Sequence, residues 1–233
     1  MCGRFVQQST LETLVDHFAI DVVTCEVEPR YNVAPTQEVL AIVAHEGKRR
    51  LGKLRWGLVP HWAEEASAAG RLINARSETA HEKPSFRTAF RRHRCLIPAD
   101  GFYEWKKAGY GPKQPFFIHR PDREPFAMAG LWDIWREGEN DYRSCTVLTR
   151  PAEGPTAELH DRMPVILDGE SHDGWLDPEA QAVDALRRLL AEKAVTDLDF
   201  YPVSPRMNKP SHDAPDCVEP VNADDSGEDG PVS

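Results

Sequence analysis

The sequence has no apolar run longer than a strand. Its most apolar segments, such as VLAIVA at 39–44, fall far short of the roughly 20 apolar residues of a membrane-spanning helix, and no secretory signal is expected. Cysteine is scarce as well: the chain has five, an odd number, scattered and without a C-x-x-C pair. We therefore expect a cytoplasmic protein with reduced thiols, without contact with a membrane and without a structural zinc site.

Basic residues are missing from the C-terminal end. From Ser211 onward there are seven acidic residues and no Lys or Arg. The net charge is therefore -10 for the whole chain but only -3 for residues 1–210. Two stretches are basic: GKRRLGKLRW at 47–56 has five basic residues and no acidic one, and residues 71–94 have seven against two. These stretches favour a positive face for a nucleic acid, although solvated arginines explain the same pattern. Residues 221–233 have the composition of a disordered tail.

Short β-like runs dominate the middle of the chain. They are rich in β-branched and aromatic residues and are separated by Gly, Pro and Asp. STLETLVDHF at 9–18 precedes them and has Ser9 and Glu12 in capping-box spacing, and PEAQAVDALRRLLAEKA at 178–194 follows them with proline in its first turn. This pattern predicts an α+β fold: a single β-rich domain over residues 1–220 with a curled, barrel-like, mainly antiparallel sheet and flanking helices.

The opening stretch MCGRF places Cys2 directly after the initiator methionine. An exposed thiol near a chain end adds little to packing, so its use should be chemical. After removal of Met1, Cys2 would carry an amine and a thiol on adjacent carbons. Such a pair can condense with an aldehyde to an imine and then close a thiazolidine ring. The amine and the thiol titrate near ~7.7–8.0 and ~8.5, so a nearby proton acceptor would assist both steps.

Two residues could accept that proton. Glu104 lies in ADGFYEW, where aromatic neighbours could desolvate a carboxylate and raise its pKa. His160 lies in ELHDRMPVIL, just before an apolar strand. A Glu among aromatic residues is more often a paired surface residue, and a lone His is more often structural, so each signal is weak when taken alone.

Polar and aromatic residues elsewhere could bind a nucleic acid. In LINARSET at 72–79, Asn74 and Arg76 are two residues apart and would face the same side of an extended segment, where they could bind a sugar hydroxyl and a phosphate. Alternatively, Asn74 caps a turn and Arg76 pairs with an acidic neighbour. Trp56 and Trp62 in WGLVPHW are either core residues or platforms on which unpaired bases stack.

Six motifs occur in an order that resembles the SOS-response-associated peptidase (SRAP) family. They are MCGRF at the start, YNVAPTQ at 31–37, RWGLVPHWA at 55–63, NARSET at 74–79, CLIPADGFYEW at 95–105 and HDRMPVIL at 160–167. The resemblance extends from Cys2 to about Pro220. It implies a sensor of abasic sites in the DNA-damage response, whose second-position cysteine crosslinks covalently to the open-chain aldehyde of an abasic site in single-stranded DNA.

The resemblance also assigns roles to residues. Asn74 would position the lesion, and Glu104 and His160 would manage proton transfer and opening of the sugar ring. No metal and no cofactor are implied, and we expect a monomer that joins the nucleoid when bound to single-stranded DNA with abasic sites. The residues expected to contact DNA are Arg4, Asn32, Trp56, Trp62, Arg76, Thr149 and Arg162.

One departure and two alternatives remain. LTRPAEGPTAELH at 148–160 keeps Thr149 but lacks the small polar residues that the family often has beside it, which puts the DNA contacts of this loop in doubt. The first alternative is a thiol peptidase, with self-processing included, that uses Cys2 as the nucleophile, His160 as the base and Asn74 or Glu104 as the orienting group. A single-strand binding module with an incidental thiol is the second. The imine could also expel the 3′ phosphate, so weak lyase activity is a further expectation.

Overall fold

The computed structural model describes residues 2–65, 70–106, 113–137 and 140–221. The acidic tail predicted over 221–233 lies outside these residues from 222 onward. Within them the chain forms the strands and helices whose bounds follow. The strands are β1 (Phe5–Gln7), β2 (Val22–Val23), β3 (Arg30–Val33), β4 (Glu38–His45), β5 (Lys48–Trp56), β6 (Asn74–Arg76), β7 (Arg94–Ala99), β8 (Gly101–Lys106), β9 (Gln114–His119), β10 (Phe126–Glu137), β11 (Asn140–Pro151), β12 (Arg162–Pro164), β13 (Ile166–Leu167) and β14 (Asp199–Pro202); the α-helices are α1 (Leu11–Phe18), α2 (Arg87–Arg92), α3 (His172–Leu176) and α4 (Val183–Glu192).

Five strands close into a barrel. Antiparallel pairing runs from β5 through β4, β7 and β10 to β11, and a parallel pairing of β11 with β5, at Ser144 and Arg55, completes the ring. Closure satisfies the main-chain groups that an open sheet would leave at its edges. The predicted barrel-like, mainly antiparallel sheet of a single β-rich domain is therefore confirmed.

A second sheet lies against the barrel. Its five strands run in the order β14, β9, β8, β1, β3, and every pairing is antiparallel. Phe5 of β1 and Phe102 of β8 belong to the same hydrophobic cluster as the barrel residues Val39 and Val147. The second sheet therefore packs its apolar face onto one end of the barrel core.

The two faces of the barrel strands have different partners. In β4, Val39 and Ala41 join the interior cluster, whereas Leu40 and Ile42 pack outside with Phe18 of α1. This alternation is the period of two expected for a strand with apolar residues on both faces. The helices α1 to α4 all contribute to the outer cluster. They cover the outer face of the barrel and leave one end of it to the second sheet.

The first helix is confirmed, but its cap is different. Ser9 was expected to cap it with Glu12, and instead Thr10 is the N-cap, with its side chain accepting a hydrogen bond from the Thr13 N–H at 3.2 Å. Ser9 is engaged elsewhere, because its N–H and its hydroxyl both donate to the buried Asp100. A long-range partner therefore moves the cap by one residue.

The last helix begins later than the sequence predicted. Pro178 was expected in its first turn, but the helix starts at Val183, after an extended Ala182. The Asp177 side chain accepts a hydrogen bond from the Glu179 N–H at 2.9 Å and forms a turn there. An acidic residue before proline thus forms a turn rather than a helix start.

Candidate active site

Cys2 lies beside β8 at the end of the barrel core. β1 runs antiparallel to β8 with Phe5 opposite Phe102, and the Tyr103 N–H donates to the Arg4 carbonyl at 2.9 Å, which continues the pairing toward the N-terminus. The Cys2 side chain is fully buried. Burial raises the pKa of the Cys2 thiol, the nearby Glu104 carboxylate raises it further, and the Arg4 N–H offsets part of the effect. The thiol is therefore held protonated.

Asn74 holds the main chain of Cys2. Asn74 lies on β6, which pairs in parallel with β11 at Val147, and its side-chain amide donates to the Cys2 carbonyl at 2.8 Å. The other amide atom, Oδ1, is buried and accepts no hydrogen bond from the residues that the structure describes. A buried acceptor of this kind has a strong need for a donor. Asn74 therefore fixes Cys2 and keeps one acceptor for a further group.

Glu104 provides the buried carboxylate of the site. On β8 it faces the same side as Phe102, toward the cluster that contains Cys2, and only 3% of its surface is exposed. Burial raises the pKa of the Glu104 carboxyl, and a protonated His160 would act in the opposite direction. The strand neighbours Tyr103 and Trp105, which were expected to desolvate Glu104, point to the opposite face of β8 into another cluster, so the burial of Glu104 comes from the residues around Cys2 instead.

His160 precedes β12 and presents one ring nitrogen to the chain. The Arg162 N–H donates to Nδ1 at 2.9 Å. A main-chain N–H can only donate, so Nδ1 supplies a lone pair and the proton of the neutral ring is on Nε2. The carboxylate of Asp161 lies 2.7 Å from the same Nδ1. The Asp161 carboxylate can accept a hydrogen bond from Nδ1 only if Nδ1 carries a proton. We favour the bond from the Arg162 N–H, because the Asp161 side chain is 86% exposed and can turn toward solvent.

The four residues predicted to be catalytic come together in space. The Asn74 amide donates to the Cys2 carbonyl, the Glu104 carboxylate raises the pKa of the Cys2 thiol, and a protonated His160 would lower the pKa of Glu104. They come from the segment before β1, from β6, from β8 and from the segment before β12. The arrangement places a buried cysteine near the start of the chain together with a buried carboxyl, an imidazole and an amide oxygen.

Two of the predicted DNA contacts are exposed. Trp62 has 55% of its surface exposed, which is unusual for so large an apolar side chain. Arg76 is exposed on β6, two residues from Asn74. The acidic partners that would have explained Arg76 are engaged elsewhere, because Glu78 binds Arg162 and Asp100 binds Ser9. Both exposed side chains are therefore available to a ligand.

Two other predicted contacts hold the C-terminal segment. Arg4 donates to the Asn32 side chain at 2.8 Å and to the Met207 carbonyl at 2.9 Å. The fully buried Asn32 side chain donates in turn to the carbonyls of Met207 and His212. Asp213 accepts from the N–H groups of residues 31 and 32. Sequence reasoning missed this role, because partners about 180 residues apart leave no local pattern.

The remaining predicted contacts are buried or paired. Trp56 is a core residue with no exposed surface, and its indole N–H donates to the Ile73 carbonyl at 2.8 Å, so its ring has no face for a base. Thr149 is buried. Arg162 donates to Glu78 at 2.5 and 2.9 Å and to the Thr149 carbonyl at 2.7 Å. A phosphate at Arg162 would have to share the guanidinium with that carboxylate.

One group of side chains in the described residues has the composition of a metal site. The ligand atoms of His212, Asp216 and Cys217, in the C-terminal segment, lie within 4.8 Å of one another. The His212 Nε2 atom is 2.9 Å from both Asp216 oxygens, so ring and carboxylate already satisfy each other. Cys217 is nearly fully buried. The group is separate from the four residues around Cys2.

The fold and the site define a class of protein: a closed β-barrel whose second residue is a cysteine held among an amide, a carboxylate and an imidazole. The chain belongs to the SOS response associated peptidase (SRAP) family, whose family model matches residues 1–210. Among the described residues, no helix is long and apolar enough to span a membrane.

Relatives cover nearly the whole chain. Abasic site processing protein YoqW of Bacillus subtilis is 42% identical over 222 residues, which are 94% of this chain and 99% of the relative. Abasic site processing protein YedK of Escherichia coli is 32% identical over 228 residues, 95% of this chain and 100% of the relative. Abasic site processing protein HMCES of Gallus gallus is 31% identical and covers 83% of this chain and 66% of the relative.

Solved structures share the fold. A protein from Bacteroides thetaiotaomicron superposes with a TM-score of 0.81 over 95% of this chain and 100% of its own, at 24% identity. A phage-related protein from Bordetella bronchiseptica superposes with a TM-score of 0.70 over 87% of this chain and 94% of its own, at 33% identity.

Proposed function

We propose that this protein processes abasic sites in DNA, and that it does so by crosslinking Cys2 to the lesion in single-stranded DNA. The names of its relatives support the first part. The second part rests on one observation: Asn74 holds the main chain of a buried cysteine at position 2, beside a buried Glu104. Removal of Met1 exposes the amine that the reaction needs.

The reaction begins at the amine of Cys2. The nitrogen lone pair attacks C1′ of the open-chain sugar, and the aldehyde oxygen leaves as water, which gives an imine. The thiol sulfur then bonds to the same carbon, and the thiol proton passes to the imine nitrogen. The net change is one aldehyde plus one N-terminal cysteine to one thiazolidine plus one water. No electron is gained or lost, so the reaction needs no redox partner.

The surrounding residues move protons in this scheme. Glu104, whose carboxyl has a raised pKa, accepts a proton from the Cys2 amine and returns it to the departing oxygen. The Nε2–H of His160 donates to the sugar oxygen during ring opening. The unused Oδ1 of Asn74 accepts a hydrogen bond from the amine or from a sugar hydroxyl.

The thiol peptidase alternative fits less well. A peptidase needs a thiolate, and reactive thiols lie near positive groups that lower their pKa. Burial and the Glu104 carboxylate instead raise the pKa of Cys2. A protonated thiol is a poor nucleophile toward a peptide, but it can add to an imine once a neighbouring base takes its proton. The environment therefore favours attack by the amine first.

DNA binds, in this proposal, across the exposed side chains near the site. Arg76 contacts a phosphate, because a guanidinium matches phosphate oxygens in pairs. Trp62 stacks against a base beside the unstacked lesion. Arg162 exchanges Glu78 for a phosphate when DNA binds. The imine could also lose the 3′ phosphate by β-elimination, and ring closure competes with that loss, so we expect lyase activity to be weak.

Denaturing gels with a single-stranded oligonucleotide that contains one abasic site test the proposal. We expect a heat-stable crosslink with the wild-type protein and with Cys25→Ser, a control that removes another thiol. Cys2→Ser should form none, because its hydroxyl cannot close the ring, and neither should a variant with two residues inserted before Cys2. A stable crosslink formed by the extended variant would refute the amine mechanism.

A further inference from the structure

The segment that carries the exposed Trp62 is fixed on both sides. Before it, the Val59 N–H donates to the Ser144 hydroxyl of β11 at 2.8 Å. After it, the indole N–H of Trp135 in β10 donates to the Ala63 carbonyl at 2.7 Å. Trp62 is thus held out from the surface by a short segment whose neighbours are tied to two barrel strands. Such presentation lowers the entropy cost of inserting the side chain into a ligand.

A buried carboxylate holds His61, the residue immediately before Trp62. Asp133 of β10 has 3% of its surface exposed. It accepts two hydrogen bonds from His61, one from its N–H at 2.9 Å and one from the ring Nδ1 at 2.8 Å, and the Ile134 N–H donates to its other oxygen at 2.9 Å. The residue immediately before Trp62 is therefore held through its backbone and its side chain together.

A second histidine completes the group. The Nδ1 atom of His93 lies 3.6 Å from the other Asp133 oxygen, and its ring packs on Trp132 at 4.9 Å between centroids. Although burial by itself raises the pKa of Asp133, the nearby His93 ring and the hydrogen bonds from His61 and from the Ile134 N–H hold it below its ordinary value. Asp133 is therefore a carboxylate at neutral pH, and a charge is kept in a buried position next to an exposed loop.

We propose that Asp133 is a positioning residue, which acts through His61 to hold Trp62 at the angle needed to unstack the base beside an abasic site. The inference rests on the proposed function, because it assigns Trp62 to the DNA. A carboxylate suits the role better than an amide, because both of its oxygens accept hydrogen bonds: one accepts from the N–H and the ring of His61, and the other accepts from the Ile134 N–H.

The test uses single-stranded DNA with a tetrahydrofuran abasic analogue, which has no aldehyde and cannot crosslink, flanked by 2-aminopurine. Fluorescence of 2-aminopurine rises when its base is unstacked, so binding and unstacking are measured without the covalent step. Asp133→Asn keeps the shape of the side chain but turns one acceptor oxygen into an NH2 donor, so the side chain can no longer accept from both His61 and the Ile134 N–H. We expect it to lose most of the fluorescence rise and to weaken binding on the order of tenfold.

A double-mutant cycle separates positioning from general loss of structure. If Asp133 acts through Trp62, Asp133→Asn should change binding less than about twofold when Trp62→Ala is already present. Asp168→Asn serves as the matched control, because Asp168 also accepts a main-chain hydrogen bond, from Ser171 at 2.9 Å, but far along the chain from the loop. It should lower the melting temperature without changing the fluorescence. Should Asp133→Asn not fold, His61→Ala replaces it in the same cycle.

Three outcomes would contradict the positioning role of Asp133, and they differ in what they leave of the proposed DNA contact. If Trp62→Ala removes the fluorescence rise and Asp133→Asn does not, the positioning role is wrong and the proposed DNA contact stands. If the two changes add fully in the cycle, Asp133 acts through stability alone and the inference is again overturned. If Trp62→Ala leaves unstacking unchanged while the crosslinking of natural abasic sites persists, both the Trp62 contact and the role of Asp133 are wrong, but the Cys2 chemistry survives.

Discussion

At the scale of single residues, Glu104 shows a conflict between stability and chemistry. Burial raises the pKa of its carboxyl, so ionisation is less favourable in the folded protein than in the unfolded chain. The folded state binds more protons between the two pKa values, and stability therefore falls as pH rises through that window. An ionisable group at this buried position costs stability, and we expect it to be there to accept a proton, which an amide cannot do.

Glu104→Gln should separate the two effects. Because the amide cannot ionise, we expect the variant to melt at a higher temperature than wild type above the raised pKa, with a difference that shrinks as pH falls. Because it cannot accept a proton, we expect crosslinking to slow by about 10²-fold and to lose the rise in rate with pH that a base of raised pKa produces. Melting curves and single-turnover rates over a pH series measure both.

Wild-type rates in Glu104→Gln would remove Glu104 from the mechanism. His160→Ala provides a comparison, since it should slow the same step while leaving the pH dependence from Glu104 in place. If neither change alters the rate, the roles assigned to both residues are wrong.

At the scale of elements, the side chain of Arg94 caps the C-terminal ends of two helices. Arg94, at the start of β7, is 3% exposed and donates to the carbonyls of Phe90 and Arg91 at the end of α2, at 3.0 and 2.5 Å. It also donates to the main-chain carbonyls of Trp175, at 2.6 Å, and of Asp177, at the end of α3. Burial lowers the pKa of the Arg94 guanidinium to about 10, which still leaves it charged at neutral pH. A cation suits the negative ends of both helices.

Arg94→Met should cost stability rather than chemistry. The methionine fills part of the space but leaves two buried carbonyls, of Phe90 and Trp175, without donors, at about 1–3 kcal/mol each, whereas the other two are partly buried and can bind water. We expect the free energy of unfolding in urea to fall by roughly 3 kcal/mol, with Arg94→Lys recovering only part of it because an ammonium lacks the planar fork. An unchanged urea midpoint in Arg94→Met would show that the four carbonyls do not depend on this residue.

The elements also show how far the sequence predicts the structure. Strands such as β4 and β10 were predicted because apolar runs between turn residues are local signals. The cap of α1 was not, because Ser9 binds Asp100, 91 residues away in the chain. The start of α4 was not, because Asp177 before Pro178 is compatible with a turn as well as with a helix start, and the structure has the turn. The cluster around Cys2 was predicted only through six motifs taken together. The burial of Trp56 was left open, since a tryptophan in the core and one on the surface look alike in sequence.

At the scale of the whole molecule, the net charge is negative, which opposes the binding of DNA. The protein carries a net charge of -10, and the last part, 221–233, contributes four acidic residues and no basic one. Exposed arginines such as Arg76 must therefore attract phosphates on an acidic background. Salt should weaken that attraction, and it should also screen the tail from a positive groove, since charges interact over only ~10 Å at 0.1 M salt.

Deletion of residues 221–233 should tighten binding to single-stranded DNA at low salt and change it little at high salt. The reason is that a chain with four negative charges competes with phosphates for the same arginines. Titrations of both proteins over a salt series measure the effect. Superimposable curves at low salt would mean that the tail does not compete with DNA.

The central claim is that the amine and the thiol of Cys2 both bond to the abasic sugar. Intact mass of the purified protein, before and after incubation with an oligonucleotide that contains one natural abasic site, tests it most directly. The account predicts a protein without Met1 that gains the mass of the oligonucleotide less one water, and a peptide map that places the adduct on Cys2. A protein that retains Met1 and still forms the adduct, or an adduct on any other residue, would contradict it.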